Sequence, residues 1–99
     1  MDIQQLSEEM TRFVAGKGWF AANSPRPQTP RNIAASLAIE AAEVLEHFQW
    51  GEGQVHRAQL GDELADVLLY LLELASITGI DLEQAALDKL QANYDRTWE

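Results

Sequence analysis

Four stretches of this chain repeat apolar residues every three to four positions and none alternates in twos, so it can build helices and has nothing from which to build a sheet. Ile3, Leu6, Met10, Phe13 and Val14 predict a first helix from about Asp2 to Ala15, ended by Gly16-Lys17-Gly18. The segment from Trp19 to Pro30 holds all three prolines together with Asn23 and Ser24 and reads as an irregular loop. Thr29 as N-cap and Pro30 at the first helical position open a second helix, on which Ile33, Leu37, Val44 and Phe48 recur as far as about Gln49. After a break at Gly51-Glu52-Gly53, Leu60, Leu64, Val67, Leu68, Leu71 and Ala75 mark a third helix that stops at Thr78-Gly79. Asp81 caps a fourth, with Leu82, Ala85, Ala86, Leu87 and Leu90 on one side, reaching roughly Arg96. Short links between helices two, three and four favour antiparallel neighbours, so the expected fold is all-α and four-helix bundle-like. Helix three is apolar over so much of its circumference that a face is left for a partner subunit.

Length and charge narrow the function. Ninety-nine residues make one domain, 1–99, and too small a core for two. The absence of cysteine excludes a disulfide framework, a thiolate zinc site and a cysteine nucleophile, and suits a reducing cytoplasm. A net charge of −9, with the seven Lys and Arg scattered, argues against a nucleic-acid polymer as partner. The longest apolar run, Val67 to Leu72, is far short of the ~20 residues that a membrane span needs. Met1 to Gln5 has no export pattern, so a cytoplasmic protein is expected.

The acids are distributed unevenly. On a helical wheel Glu40 falls between Ile33, Leu37 and Val44, near the middle of the apolar stripe, with Glu43 toward its edge and Glu46 on the far side. On helix three Glu63 lies beside Val67 and Leu74, and Asp66 beside Tyr70 and Ile77, while Asp62 and Glu73 are expected to point farther outward. Carboxylates on an inward face must be protonated, paired, hydrogen-bonded or bound to metal, and four of them cannot neutralise one another. Glu43 and Glu63 lie roughly 10 Å and 15 Å from the glycine break, so antiparallel packing brings the two pairs to similar heights. An all-oxygen set favours magnesium, manganese or calcium over zinc. A di-iron bundle normally needs Glu-x-x-His pairs, and neither acidic pair has the histidine. His47 is expected at a partly exposed edge and His56 near a helix start. Ordinary charges on amphipathic helices are the competing explanation of both acidic pairs.

Thr29-Pro30-Arg31-Asn32-Ile33, then Ile39-Glu40-Ala41-Ala42-Glu43-Val44-Leu45-Glu46-His47-Phe48-Gln49-Trp50, resembles the MazG-like nucleotide pyrophosphohydrolases, in particular their single-domain dCTP pyrophosphatase-like branch. Glu63-Leu64-Ala65-Asp66-Val67 with Tyr70-Leu71 resembles the second acidic motif of that family, and Gly79-Ile80-Asp81-Leu82 with Lys89 and Asn93 its final helix. The likeness runs from about Trp19 onward. It implies a MazG-type fold assembled as a dimer or a dimer of dimers, that is, a homodimer or homotetramer. It implies that Glu40, Glu43, Glu63 and Asp66 are the catalytic acids and bind Mg2+, with Mn2+ possible. The ions hold a nucleoside triphosphate, and water attacks the α-phosphorus to release a nucleoside monophosphate and pyrophosphate, as in nucleotide-pool house-cleaning.

By the same likeness Lys89 and Asn93 contact phosphates, and Trp19, Asn32, Trp50 and Tyr70 surround the base. Two departures bear on the base: cytosine-preferring relatives carry histidines where this chain has Met10 and Gln28. The loop before Pro30 is also longer. A non-catalytic helical interaction module, and a hydrolase acting on another phosphoanhydride such as a phosphoribosyl-nucleotide, are the rival functions.

Overall fold

The computed structural model describes residues 1–51 and 55–98, and its order is α1 (Ile3–Gly16), α2 (Pro30–Glu46), α3 (Arg57–Ile77) and α4 (Leu82–Asp95), with no strand among the described residues. Glu52 and Gly53 of the expected glycine break lie outside the described residues. Each helix starts where its cap dictates. Asp2 accepts from the Gln5 backbone N–H at 2.8 Å, and the Gln5 side chain accepts from the Asp2 N–H at 2.9 Å, a reciprocal capping box. Thr29 accepts from the Asn32 N–H and Asp81 from the Gln84 N–H, while His56 precedes α3 without a capping bond from its side chain.

Two helices end in the same way. Beyond α1 the Trp19 N–H reaches back to Val14 at 3.2 Å and the Gly18 N–H to Ala15 at 3.0 Å, with Gly18 at φ +74. Beyond α3 the Ile80 N–H reaches Ala75 at 2.8 Å and the Gly79 N–H reaches Ser76 at 3.2 Å, with Gly79 at φ +73. Both are Schellman turns, which need a left-handed residue that only glycine supplies without strain. The first seats Trp19 edge-on against Phe13, ring centroids 5.7 Å apart. At the other end of the loop the Asn32 side chain donates to the Pro27 carbonyl at 2.9 Å, so the proline-rich segment is tied at both ends.

Helix α2 ends at Glu46, short of the expected Gln49, because the chain tightens from His47 to Gly51 into successive three-residue turns. Helix α3 is central and packs against both α2 and α1. Helices α2 and α3 run antiparallel, with His47 against Glu63 and Glu40 within the field of Asp66. Met10, Val14, Ile33, Leu72 and Ala75 form the small core.

The antiparallel return expected of the fourth helix does not occur within one chain. Helix α4 has no buried residue and no substantial packing on another helix, and Leu87, Leu90 and Tyr94 are exposed. A short link permits a return without compelling it; burial of an apolar stripe holds a helix in a bundle, and here α4 buries none. The radius of gyration, 16.0 Å, accordingly exceeds the roughly 13 Å of a compact chain of this length. No helix among the described residues is long and apolar enough to cross a membrane.

Two glycine substitutions should move stability in opposite directions. Gly79→Ala should cost about 1 kcal/mol by forcing a side chain into the left-handed region, although a Cβ there meets open space. Gly61→Ala, inside α3 and equally uncrowded, should add about 0.5–1 kcal/mol. Urea unfolding followed by circular dichroism checks both signs.

Candidate active site

The contact between α2 and α3 gathers acids that the chain could have kept apart. Glu40 is half-buried, and its Oε2 is enclosed with no hydrogen-bond partner. Its carboxyl is pushed above the ordinary glutamate value, first by burial, then by Glu43 one turn away, then by the charges of Asp66 and Glu63. Glu40 therefore lies within electrostatic reach of the other three acids expected from the sequence. Glu43 and Glu63 are half-buried like Glu40, whereas Asp66 is exposed at the rim.

This donor set fits a hard divalent cation. It is all oxygen, it carries more negative charge than it can share, and it holds one buried oxygen in need of a partner. Among the described residues no three of these side chains close into a ready-made ion cage. The remaining positions around an ion would then fall to water or to ligand oxygens, as is usual for magnesium.

His47 joins the cluster although its sequence position suggested only a partly exposed edge. Its Nε2 lies 2.5 Å from Oε2 of Glu63, and both side chains are largely shielded. An ionised carboxylate only accepts, so the ring nitrogen is the donor. The available signal was the four-residue step from Glu43, which sets His47 one turn along the same side of the chain.

Beside the acids lies a cavity of about 770 Å3, a size that suits a small-molecule ligand. Helix α1 contributes Met10 and Phe13, the tied loop Trp19, Arg26 and Gln28, α2 Asn32 and Ile33, and α3 Asp66, Tyr70 and Glu73. Asp66 thus belongs both to the acid cluster and to the cavity wall. The Arg26 guanidinium lies over the Trp19 ring, 5.5 Å from its centroid.

Glu73 corrects the sequence reading, which turned it outward. It is only 3 % exposed, lines the cavity, and has an enclosed Oε2 without a hydrogen-bond partner. Seven residues separate it from Asp66, and a heptad step returns to the same side of a helix within about 20°, which was the signal in the sequence. Burial raises its carboxyl above the ordinary value.

Three expected site residues stand away from this group. Trp50 is 91 % exposed and does not line the cavity. Lys89 and Asn93 sit on the unpacked α4, the first exposed and the second half-buried, and neither lines the cavity. One chain thus brings together Glu40, Glu43, Glu63 and Asp66 with Trp19, Asn32 and Tyr70.

Comparison with known proteins gives a consistent set of likenesses. Residues 35–97 match the model of the MazG-like family. The chain is 36% identical over 104 aligned positions to dCTP pyrophosphatase 1 of Homo sapiens and 35% identical to that of Mus musculus, in each case over 96% of its own length. It spans 56% of the length of those relatives. A pyrophosphatase from Archaeoglobus fulgidus shares its fold with a TM-score of 0.81 and 30% identity, over 97% of this chain and 92% of that one.

The raised Glu73 carboxyl has a consequence for stability. Below the ordinary glutamate value of 4.5 both folded and unfolded chains hold its proton, and burial carries no charge penalty. As pH rises from 4.5 through the raised folded value, the unfolded chain ionises more readily and stability is lost. Glu73→Gln, which cannot ionise, should therefore unfold at higher urea than wild type at pH 7, and the difference should shrink toward pH 4.

Proposed function

Because this chain belongs to the MazG-like family, we propose that the acid cluster and adjoining cavity hydrolyse nucleoside triphosphates to nucleoside monophosphate and pyrophosphate. The observation that carries this reading is Glu40: a half-buried carboxyl with one enclosed, unpartnered oxygen, crowded by three further acids, of which Asp66 also lines a nucleotide-sized cavity. The names of the relatives, dCTP pyrophosphatase 1, make dCTP the first substrate to test.

Glu40, Glu43, Glu63 and Asp66 would hold Mg2+ or Mn2+, which when bound offsets phosphate charge and makes water a stronger nucleophile. The chain itself supplies orientation. His47 donates to Glu63 and fixes that carboxylate, as partners behind metal-binding carboxylates do. Trp19 and Tyr70 offer flat faces to a base, and Asn32 holds the loop that carries Trp19. In the reaction the water oxygen bonds to the α-phosphorus as the bond to the α–β bridging oxygen breaks. The electron pair leaves with pyrophosphate, and the water proton passes to solvent or a carboxylate.

A homodimer, or a dimer of dimers, completes the reading. The exposed Leu87, Leu90 and Tyr94 of α4 and Leu64, Leu68 and Leu71 of α3 form apolar surface of the kind a second copy covers. In such an assembly the Lys89 and Asn93 side chains reach the phosphates held by the acids of the other copy. House-cleaning of the cytoplasmic nucleotide pool is the role we assign.

Pyrophosphate release from a panel of nucleoside triphosphates tests the reading. It should require magnesium and fall at least about a hundredfold in Glu40→Gln and Glu63→Gln, with helical circular dichroism retained. His47→Ala should raise the magnesium concentration for half-maximal rate roughly tenfold or more. Silence across the panel in wild type would sink the activity and leave a phosphoribosyl-nucleotide substrate or a binding module.

A separate mixing experiment tests the role of α4. Lys89→Ala and Glu63→Gln, each nearly inactive alone, should regain release when unfolded and refolded together, because one mixed site then has both groups. If the mixture stays silent while its subunits demonstrably exchange, the cross-chain contact is wrong.

A further inference from the structure

The cavity carries a charged group that phosphate and metal chemistry leave unused. Asp66 lines it where it meets the acid cluster, and Glu73 lines it two helical turns farther along α3, about 10 Å away. Met10, Ile33, Trp19 and Tyr70 give the same cavity apolar and aromatic wall. Arg26, the cation in the cavity wall, lies over the Trp19 ring, and Glu73 Oε2 receives no hydrogen bond from it. A carboxyl 97 % removed from solvent with an unpartnered oxygen is costly to maintain, and such groups call for a specific explanation.

The explanation follows if the cavity is the nucleotide site, the reading on which this inference rests. With phosphates at Asp66 and the base against Trp19 and Tyr70, the polar edge of the base is directed along α3 toward Glu73. We propose that Glu73 is a specificity-determining residue that accepts a hydrogen bond from an exocyclic amino group of the base. The site then selects cytosine and adenine nucleotides over those of uracil, thymine and guanine, which carry a carbonyl oxygen at the corresponding position.

The chemistry is one of donors and acceptors. A carboxylate only accepts, so it is satisfied by an N–H. Carboxylates accept from the cytosine amino group in base recognition generally. Uracil and thymine place a carbonyl oxygen where cytosine has its amino group, setting lone pair against lone pair in a shielded pocket. Of the described acids that line the cavity Glu73 alone is buried: Asp66 is exposed, and Glu9 is exposed and pairs with Arg12. Met10 beside it has no group to donate, so discrimination falls to Glu73.

Two measurements on the full chain test this: kcat/KM with magnesium for dCTP, dATP, dGTP, dUTP and dTTP, and metal-free binding of dCMP and dUMP followed by tryptophan fluorescence. Wild type should favour dCTP and dATP over dUTP, dTTP and dGTP, and dCMP over dUMP, by roughly tenfold to a hundredfold. Glu73→Gln presents a donor as well as an acceptor and should narrow the ratio to about threefold or less, chiefly through KM. Glu73→Asp keeps the acceptor, should keep the preference with weaker binding, and serves if the glutamine variant fails to fold. An unchanged ratio in Glu73→Gln, or a lost preference in Glu73→Asp, overturns the proposal while leaving the pyrophosphohydrolase reading in place. A dCMP preference that Glu73→Gln abolishes, in a protein with no turnover, supports Glu73 and sinks the activity instead. Wild type that neither binds nor hydrolyses overturns both.

Discussion

The crowding of Glu40 by Glu43, Glu63 and Asp66, held close by the packing of α2 on α3, is the constraint around which the rest of the structure is arranged. Helix packing is driven by apolar burial, and here the face of α2 that buries Ile33 also carries Glu40 seven residues on, with Glu43 toward its edge. The repulsion is visible in Glu40, whose carboxyl is raised by burial and by every one of its acidic neighbours. Removing one acid would relieve the strain, and so would a divalent cation. A fold that keeps three further acids within reach of a half-buried carboxyl holds an unfavourable interaction, and such clusters are candidates for function.

The cavity beside the cluster depends on backbone chemistry more than on side-chain volume. Its loop wall contains Pro25 and Pro27 and has no buried side chain of its own, so it is held at its ends. At one end the Schellman turn at Gly18 fixes the direction of Trp19 against Phe13; at the other, Asn32 grips the Pro27 carbonyl. These anchors keep aromatic faces and a buried acid around an open volume that would otherwise collapse. Glu73 opposes collapse as well, since an ionisable oxygen facing an apolar wall is better left beside a space that water or a ligand can enter.

The chain is less compact than its length allows, and the reason lies in where its apolar residues go. Helix α3 is shared by α1 and α2, leaving Leu64, Leu68 and Leu71 exposed, while α4 projects with Leu87, Leu90 and Tyr94 uncovered. A small domain with so few buried side chains has a limited core, and association is the common remedy. The exposed leucines of α3 are the structural counterpart of the wide apolar circumference that the sequence gives helix three.

The sequence by itself determined the four helices, their caps and the pairing of acids on adjacent faces. These are local properties: Asp2, Thr29, Asp81, Gly18 and Gly79 act within a few residues of themselves, and apolar periodicity says which acids turn inward. Glu40 was legible for that reason, lying among Ile33, Leu37 and Val44. Tertiary structure alone decided what depends on neighbours distant in the chain. The His47 contact with Glu63 exists because α2 tightens just where α3 passes, and no wheel drawn on one helix contains the other. Glu73 looked outward on a single-helix wheel, yet α1, the loop and α2 close over it. The isolation of α4 was equally hidden, because link length and periodicity describe what a helix can do, whereas competition for burial decides what it does.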